Sequence, residues 1–508
     1  MTTVVAERPV PGTPRPYEFP AFERGRLANG LRLITVHLTG RPLVTASLVM
    51  LNGAADEPAR DSGATVLAAR ALSEGTERYD AIQLVEASER LGASLHAEAG
   101  WDATSAGIDV PAARLEPALE LLAEMTAHPT FPEAEVERLR DERLNDILQA
   151  RADPRRRADE AFSETVYVSE SPYHRPAGGL KETVARLDAP ALRKAYARGV
   201  DPARSTLIVA GDLAGLDVPV IAERLFGGWR AEDGARQRGA LVDRTAVATR
   251  RVRVIHRPGA VQTEIRIGHR GVPRRVPDYH ALSVMGAILG GLFNSRLNMK
   301  LREEKGYTYG AHAGFEARRA AGPFTARAAV NTEATIPAIA DTLGEIARIR
   351  EAPVGEDELR AARDFLVGVF PLRFETPGAV VGALSGLVVH DLPDEELVRY
   401  REAIEAVTRE DIEKAARERL DPDRAAIVLV GDVDIIGRDL EAAGFGPVAV
   451  ERDDAPLAVG PADGVDAELG PVDGRTHTGP TEGAEEPPEG SAEEPTPADT
   501  RDEAGDGH

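Results

Sequence analysis

The feature that most constrains the fold of this chain is an internal duplication at an offset of about 220 residues. The stretch 201–212 (DPARSTLIVAGD) recurs as 421–432 (DPDRAAIVLVGD), and 135–144 (EVERLRDERL) corresponds to 357–366 (DELRAARDFL). Two matches at nearly the same offset indicate two similar domains in tandem. The length of 508 residues fits this arrangement, because single hydrophobic cores stop growing at about 250 to 300 residues.

The predicted elements alternate between strands and helices in both copies. We place the first domain at 20–227, a linker at 228–249, the second domain at 250–446 and an acidic tail at 447–508. Pairs of strands alternating with helices predict the α+β class, in which each domain is a mixed β-sheet covered on one face by helices. The main predicted segments are strands 31–38, 43–51, 94–99, 103–110, 253–256 and 263–269, strands around Tyr307 and Phe324, and helices 62–73, 81–91, 115–127 and 278–289.

Charge is concentrated at the C-terminus. Residues 451–508 contain 17 Asp or Glu against three Arg, so about −14 of the net charge of −23 lies in this stretch. A polar, acidic composition without aromatic residues predicts a disordered tail. Neither the tail nor the mildly acidic remainder favours binding to nucleic acid or to an anionic membrane.

The chain has no cysteine, which excludes disulfides, cysteine-based zinc sites and a thiol nucleophile. It contains no apolar run long enough for a transmembrane helix. Residues 1–20 carry several prolines and no apolar core typical of a signal peptide. The expected compartment is therefore the cytoplasm.

The segment 292–310 (LFNSRLNMKLREEKGYTYG) carries the strongest functional pattern. We predict a short helix capped by Ser295, with Leu297 and Leu301 on its buried face, and a stop at Gly306. A strand is predicted to start at Tyr307. Arg302 on the helix and Tyr309 on the strand could then converge as two donors for a carbonyl oxygen.

A simpler interpretation of the same residues is also open. Arg302 could pair with a nearby glutamate on a solvated face of the helix. Tyr309 could belong to the hydrophobic core, because alternation along the predicted strand places it on the same face as Phe315.

The patterns Ser-Arg-Leu (295–297), Leu-Arg-Glu (301–303) and Gly-x-x-Tyr (306–309) resemble the arginine/tyrosine motif of pitrilysin- and insulinase-type metallopeptidases. The resemblance covers roughly residues 22–445 and is closest to the smaller, two-subunit members. It implies the two-domain α+β fold. It also implies that Arg302 and Tyr309 act in trans, in the active site of a partner subunit.

Members of that family that cut peptides carry His-x-x-Glu-His on the first helix, a spacing that holds zinc and positions a glutamate to activate water. The matching stretch here is 62–76 (SGATVLAARALSEGT), where the three functional positions are Val66, Ala69 and Arg70. Asp146 lies near the position expected for a distal acidic ligand, but a lone carboxylate cannot form the site. We therefore predict no metal in this chain and zinc in a partner subunit.

No other catalytic constellation stands out. The eleven histidines show no His-x-x-x-His spacing. Glu124 and His128 lie at i and i+4, which is at most half a metal site, and a helix end at His128 explains that residue more simply. The glycine pair 290–291 lacks the lysine of a P-loop and is better explained by close packing of a helix on a sheet.

The sequence thus predicts the non-zinc subunit of a heterodimeric peptidase. Its expected partners are a homologous zinc-bearing subunit and a peptide bound as an added strand on a sheet edge. The main alternative is a catalytically silent scaffold or peptide-binding protein of the same fold. An independent enzyme with unrecognised chemistry is the third class.

Overall fold

The computed structural model describes residues 15–231 and 238–452. The predicted tail from residue 453 onward, the first fourteen residues and part of the predicted linker lie outside the described residues. Within the described chain there are two six-stranded mixed sheets, one in each predicted domain, which confirms the predicted α+β class.

Sheet 1 has the strand order β1-β2-β6-β3-β5-β4. Its strands are β1 (Glu23–Arg26), β2 (Arg32–His37), β3 (Leu43–Met50), β4 (Ser94–Ala99), β5 (Thr104–Pro111) and β6 (Ser205–Gly211). The first-domain helices are α1 (Ala64–Arg70), α2 (Ala81–Arg90), α3 (Leu115–Ala127), α4 (Glu133–Ala152), α5 (Pro154–Val166), α6 (Lys181–Val184), α7 (Ala189–Gly199) and α8 (Val218–Phe226).

Sheet 2 has the order β12-β7-β11-β8-β10-β9. Its strands are β7 (Arg251–His256), β8 (Gln262–Arg270), β9 (Ala311–Phe315), β10 (Pro323–Asn331), β11 (Ala426–Gly431) and β12 (Val448–Arg452). The second-domain α-helices are α9 (Tyr279–Gly286), α10 (Thr335–Glu351), α11 (Glu356–Val369), α12 (Pro377–His390), α13 (Glu395–Val398), α14 (Tyr400–Ala406), α15 (Arg409–Arg419) and α16 (Val433–Ala443). Two π-helices, Ala287–Gly291 and Asn298–Glu304, follow α9.

Five strands of each sheet occupy equivalent places, because β2, β6, β3, β5 and β4 follow the same order as β7, β11, β8, β10 and β9. The repeated Gly-Asp stretches form the equivalent strands β6 and β11. The sixth strands are not equivalent: β1 comes from the N-terminal end and pairs antiparallel with β2, whereas β12 comes from the C-terminal end and pairs parallel with β7.

The predicted start of the tail at residue 447 is too early, because Val448–Arg452 forms β12. Glu451 explains why this polar stretch is ordered. Its carboxylate oxygens lie 2.8 Å from an Arg157 guanidinium nitrogen and 2.5 Å from an Arg253 one. Two arginine side chains from neighbouring elements thus fix β12 in place, although its composition alone resembles that of the tail.

Each sheet has one face covered by helices of its own domain and a second face partly covered by one helix of the other domain. Helix α12 packs Val380, Leu384 and Leu387 against buried residues of sheet 1 such as Ile34 and Ile208. Helix α5 packs Ala158, Ala161, Phe162 and Val166 against residues of sheet 2, namely Ile255, Ala426, Val428 and Val430. This reciprocal exchange adds to the predicted arrangement, in which helices covered only one face.

The hairpin β9–β10 is anchored in the first domain. The Arg318 guanidinium lies between the rings of Trp101 and Tyr173, at 4.8 and 4.6 Å from their centres. The Arg319 backbone N–H donates to Asp102 at 2.8 Å. These contacts hold the turn between β9 and β10, at the opposite end of β9 from the segment with Tyr309.

No single helix in the described parts of the chain is long and apolar enough to cross a membrane. The bent pair 356–374 and 377–390 meets the length and composition criteria only jointly, with a bend of 115°. The apolar side chains of its second half are buried against sheet 1.

Candidate functional site

The segment 292–310 forms a short helix that continues as the π-helix Asn298–Glu304 and then a loop that leads into β9. Leu297 and Leu301 are buried, as predicted, and Gly306 takes a positive φ of 65° just after the helix, as expected of a residue that stops it. Ser295 directly precedes the first helical residue, Arg296, and its carbonyl accepts from the Met299 N–H at 2.9 Å, as at a helix start. Its hydroxyl accepts from the Asn298 side-chain amide at 3.3 Å.

The strand after this helix starts later than predicted. Residues Tyr307 and Tyr309 lie in a loop, and β9 begins only at Ala311. The Thr308 hydroxyl explains the delay, because it donates to the Gly310 carbonyl and accepts from the Gly310 N–H, at 2.9 and 3.1 Å. These local bonds favour a turn over an extended strand.

Tyr309 is 91% exposed. The interpretation of Tyr309 as a core residue is therefore wrong, since its ring projects into solvent. Both the hydroxyl and the ring of Tyr309 are therefore accessible to a ligand or a partner.

The Arg302 side chain is about two-fifths exposed and has two neighbours. Its guanidinium carbon lies 4.5 Å from the ring centre of Phe293, and its Nε lies 3.4 Å from Glu303 Oε1. The nearby Glu304 is held by Lys300 at 2.9 Å and by Lys305 at 3.5 Å. Arg302 thus remains a charged donor at the surface, a few residues from Tyr309 in the same folded segment.

The three zinc-motif positions lie on α1, where Ala69 is buried and Arg70 is partly exposed. Arg70 directs its guanidinium to α4, with nitrogen atoms 3.3 Å from Glu142 and 3.7 Å from Asp146. A guanidinium that is hydrogen-bonded to Glu142 and ion-paired with Asp146 neutralises carboxylates that could otherwise face a cation. Val66 and Ala69 offer no donor atom, so these residues do not fit a zinc ion.

Among the described residues, one further group has the geometry of metal ligands: His256, Asp432 and Asp434. The Val433 backbone N–H donates to His256 Nδ1 at 3.1 Å, so a neutral imidazole carries its proton on Nε2, which faces Asp434 at 3.5 Å. A protonated Nε2 cannot bind a metal. The histidine and the first aspartate recur in the first domain, where Leu213 N–H donates to His37 Nδ1 beside Asp212, and we interpret both pairs as structural.

The glycine pair 290–291 allows a helix end to pack closely on a strand and is not explained by phosphate binding. A Cβ added to Gly290 would lie 2.2 Å from the backbone nitrogen of Ala313 on β9, so the helix end and the strand approach too closely for any side chain.

Glu124 accepts a hydrogen bond from Arg78 N–H, and His128 ends α3 next to Glu77. These contacts explain both residues without a metal.

Two residues in the segment were missed from the sequence. Phe293 stacks on Arg302, and Asn298 is buried between the helix and two flanking loops. The available signals were a phenylalanine directly after the glycine pair and an asparagine beside Leu297 on the apolar side of the helix.

Two models of one peptidase family match most of the folded chain. The model described as "Insulinase (Peptidase family M16)" matches residues 32–175, which include the zinc-motif positions. The model described as "Peptidase M16 inactive domain" matches residues 186–366, which include Arg302 and Tyr309. The chain belongs to the M16 family.

Curated relatives of this M16 chain carry names that include zinc protease. An uncharacterized zinc protease of Mycobacterium leprae is 24% identical over 416 residues, covering 80% of this chain and 91% of the relative. One of Streptomyces coelicolor is 24% identical over 413 residues, covering 78% and 87%. The uncharacterized zinc protease YmxG of Bacillus subtilis is 22% identical over 359 residues, covering 70% of this chain and 85% of the relative.

Two solved structures share the fold. The crystal structure of a peptidase M16 inactive domain from Pseudomonas fluorescens has a TM-score of 0.75 at 24% identity, covering 81% of this chain and 98% of that one. A protease from Helicobacter pylori has a TM-score of 0.75 at 19% identity, covering 81% and 99%. At these identities the similarity establishes the two-domain architecture alone.

Proposed function

We propose that this chain is the non-zinc subunit of a heterodimeric zinc metallopeptidase, and that it lends Arg302 and Tyr309 to the active site of a zinc-bearing partner. The observation that carries the proposal is a contrast between the two domains. The second domain exposes an arginine and a tyrosine on one folded segment, whereas the first has Val66, Ala69 and Arg70 where the family carries its metal ligands.

The two side chains suit the stabilisation of a developing negative charge. The Arg302 guanidinium stays charged at any physiological pH, and the Tyr309 hydroxyl is a neutral donor. Aimed at one peptide carbonyl, they would hold the oxygen in the bound peptide and bind it more strongly as it becomes an oxyanion. Both side chains face water in the isolated chain. A partner that covered them would exclude that water and strengthen both interactions.

The partner is proposed to be a homologous chain with His-x-x-Glu-His, which carries the zinc. The substrate is proposed to be a peptide or an unfolded protein segment. The cytoplasm remains the proposed compartment, and cell fractionation would test it.

The test is co-expression with such a homologous chain, followed by assay of peptide cleavage by each chain alone and by the complex. We expect a stable complex that contains one zinc and cleaves peptides. We also expect substoichiometric zinc and no cleavage from this chain alone. One tightly bound zinc per isolated chain would contradict the proposal. A complex that forms, but turns over no faster than the partner alone, would favour the scaffold alternative.

A further inference from the structure

The Asn298 side chain contacts both loops that flank the helix carrying Arg302. Its amide nitrogen donates to the Leu292 carbonyl at 3.0 Å, and its amide oxygen accepts from the Ala311 N–H at 2.8 Å. Because one partner is an acceptor and the other is a donor, the orientation of the amide is fixed. Asn298 is 8% exposed. Loss of its acceptor would leave the buried Ala311 N–H without this partner, and loss of its donor would leave the Leu292 carbonyl with one hydrogen bond fewer.

These two bonds end next to the two other functional side chains of the segment. Leu292 directly precedes Phe293, and its carbonyl also accepts from the Ser295 N–H at 3.0 Å. Ala311 comes two residues after Tyr309 and begins β9. One amide therefore fixes the start of the Phe293 loop and the end of the Tyr309 loop against the helix that carries Arg302.

Phe293 in turn holds the guanidinium. Its ring is 68% exposed and lies 4.5 Å from the Arg302 guanidinium carbon, within the range of a cation–π contact. The competing neighbour is Glu303, adjacent in the chain and 3.4 Å from Arg302 Nε. Without the ring, the guanidinium would be free to turn toward that carboxylate.

We propose that Asn298 and Phe293 are positioning residues: the Asn298 amide fixes the Phe293 and Tyr309 loops against the helix that carries Arg302, and the Phe293 ring orients the Arg302 guanidinium. The inference rests on the proposed function, since it assigns the geometry of the same pair. It predicts that a change at either residue lowers turnover without removing a group that touches the peptide.

The first test is Asn298→Asp in the heterodimer at pH 8. An ionised carboxylate keeps an acceptor for the Ala311 N–H but loses the donor to the Leu292 carbonyl, which then keeps only the Ser295 N–H, so the Phe293 loop alone is loosened. We expect kcat per folded complex to fall roughly tenfold, with KM changed less than about twofold. Asn294→Asp is the matched control. It makes the same chemical change four residues earlier, at an exposed side chain, and is expected to leave kcat unchanged.

The second test is Phe293→Leu, which removes the ring from an exposed position and is expected to leave the fold intact. It should lower kcat by roughly threefold to tenfold, and Phe293→Tyr should restore it. In an Arg302→Ala background, Phe293→Leu should have no further effect. A further loss there would mean that Phe293 contacts the peptide directly, which would overturn the positioning role.

The outcomes separate this inference from the proposed function. If Arg302→Ala and Tyr309→Phe lower kcat but Asn298→Asp and Phe293→Leu do not, the positioning inference is overturned and the proposed function stands. If none of the four substitutions lowers kcat, both are overturned. A lower melting temperature with unchanged kcat per folded complex would assign Asn298 a structural role only.

Discussion

Arg70 occupies a position where peptide-cleaving members of the family carry a metal-binding histidine. The helix around it is intact, with Leu67, Ala68 and Ala69 buried as in an ordinary core helix. Its guanidinium lies between Glu142 and Asp146 of α4. We propose that Arg70 places a positive charge at this position without the Lewis acidity of a metal ion, since the chemistry of a site can change inside an unchanged fold.

At the residue scale, Glu57 makes the stability of the folded chain depend on pH. Its carboxylate accepts from the Gly63 N–H at 2.7 Å and from the Thr65 N–H at 3.0 Å, at the start of α1. Burial raises the pKa of Glu57 to about 7, although these hydrogen bonds and the charge of Arg175 oppose the rise. A carboxyl whose pKa is higher in the folded chain than in the unfolded chain binds its proton more tightly when folded.

The stabilising contribution of this proton is therefore complete below about pH 4.5 and is lost as the pH rises through 7. We expect Glu57→Gln, which cannot ionise, to gain about 1 to 3 kcal/mol in unfolding free energy relative to wild type between pH 4.5 and pH 8. Urea unfolding of both proteins at several pH values measures this difference. A difference that does not change with pH would show that Glu57 titrates normally.

At the scale of elements, the strands and helices could be predicted from apolar periodicity, and the repeat predicted that the two domains share a layout. The boundaries around the site could not be predicted in the same way. Alternation extended a strand back to Tyr307, but the two Thr308 bonds to Gly310 turn the chain there. The strand β12 is held by ion pairs with Arg157 and Arg253, which lie far away in the sequence. Its local composition could not show these contacts and therefore assigned the stretch to the tail.

The helices that cover the second face of each sheet were also only partly predictable from the sequence. The apolar faces of α5 and α12 predict burial, but not that each helix covers the sheet of the other domain. Sequence periodicity specifies which face of an element is buried, whereas the surface that covers it depends on tertiary packing. The stacking of Phe293 on Arg302 and the bonds of Asn298 were missed for the same reason.

The close approach of the π-helix Ala287–Gly291 to β9 can be tested with a pair of substitutions in one helical stretch. Gly290→Ala would place a Cβ 2.2 Å from the Ala313 backbone nitrogen and should cost about 1 to 3 kcal/mol of stability. At Gly286 the nearest atom would be 3.9 Å away, so Gly286→Ala should be neutral or stabilising by up to about 1 kcal/mol. Thermal unfolding compares the two, and equal effects would contradict the packing role of Gly290.

At the scale of the whole molecule, β12 is the last described element, and the sequence that follows it is acidic. We expect deletion of 453–508 to leave the unfolding free energy and partner binding unchanged, because that composition cannot offset the entropy of ordering. Deletion of 448–508 removes the ladder with β7 and the Glu451 carboxylate. It should cost about 1 to 3 kcal/mol, since Glu451 is partly exposed and Glu164 still contacts Arg253. A large fall in melting temperature on the shorter deletion would contradict this boundary.

The two domains, the exchanged helices and the anchored β9–β10 hairpin together form a support on which one segment of the second domain is presented. The family relationship and the fold are established by the comparisons and the strand order. The role of the Arg302 and Tyr309 pair is the central claim, and turnover of the reconstituted complex tests it most directly.

The decisive measurement is kcat and KM of the heterodimer with Tyr309→Phe and with Arg302→Ala. Loss of one preorganised oxyanion donor typically lowers turnover by about 10² to 10³. We therefore predict that Tyr309→Phe lowers kcat by roughly that factor while heterodimer formation persists, and that Arg302→Ala also raises KM, because arginine can hold the peptide carbonyl before reaction. Near-normal kcat in both variants, with at most a small loss of stability from the Arg302 contacts, would contradict the catalytic account.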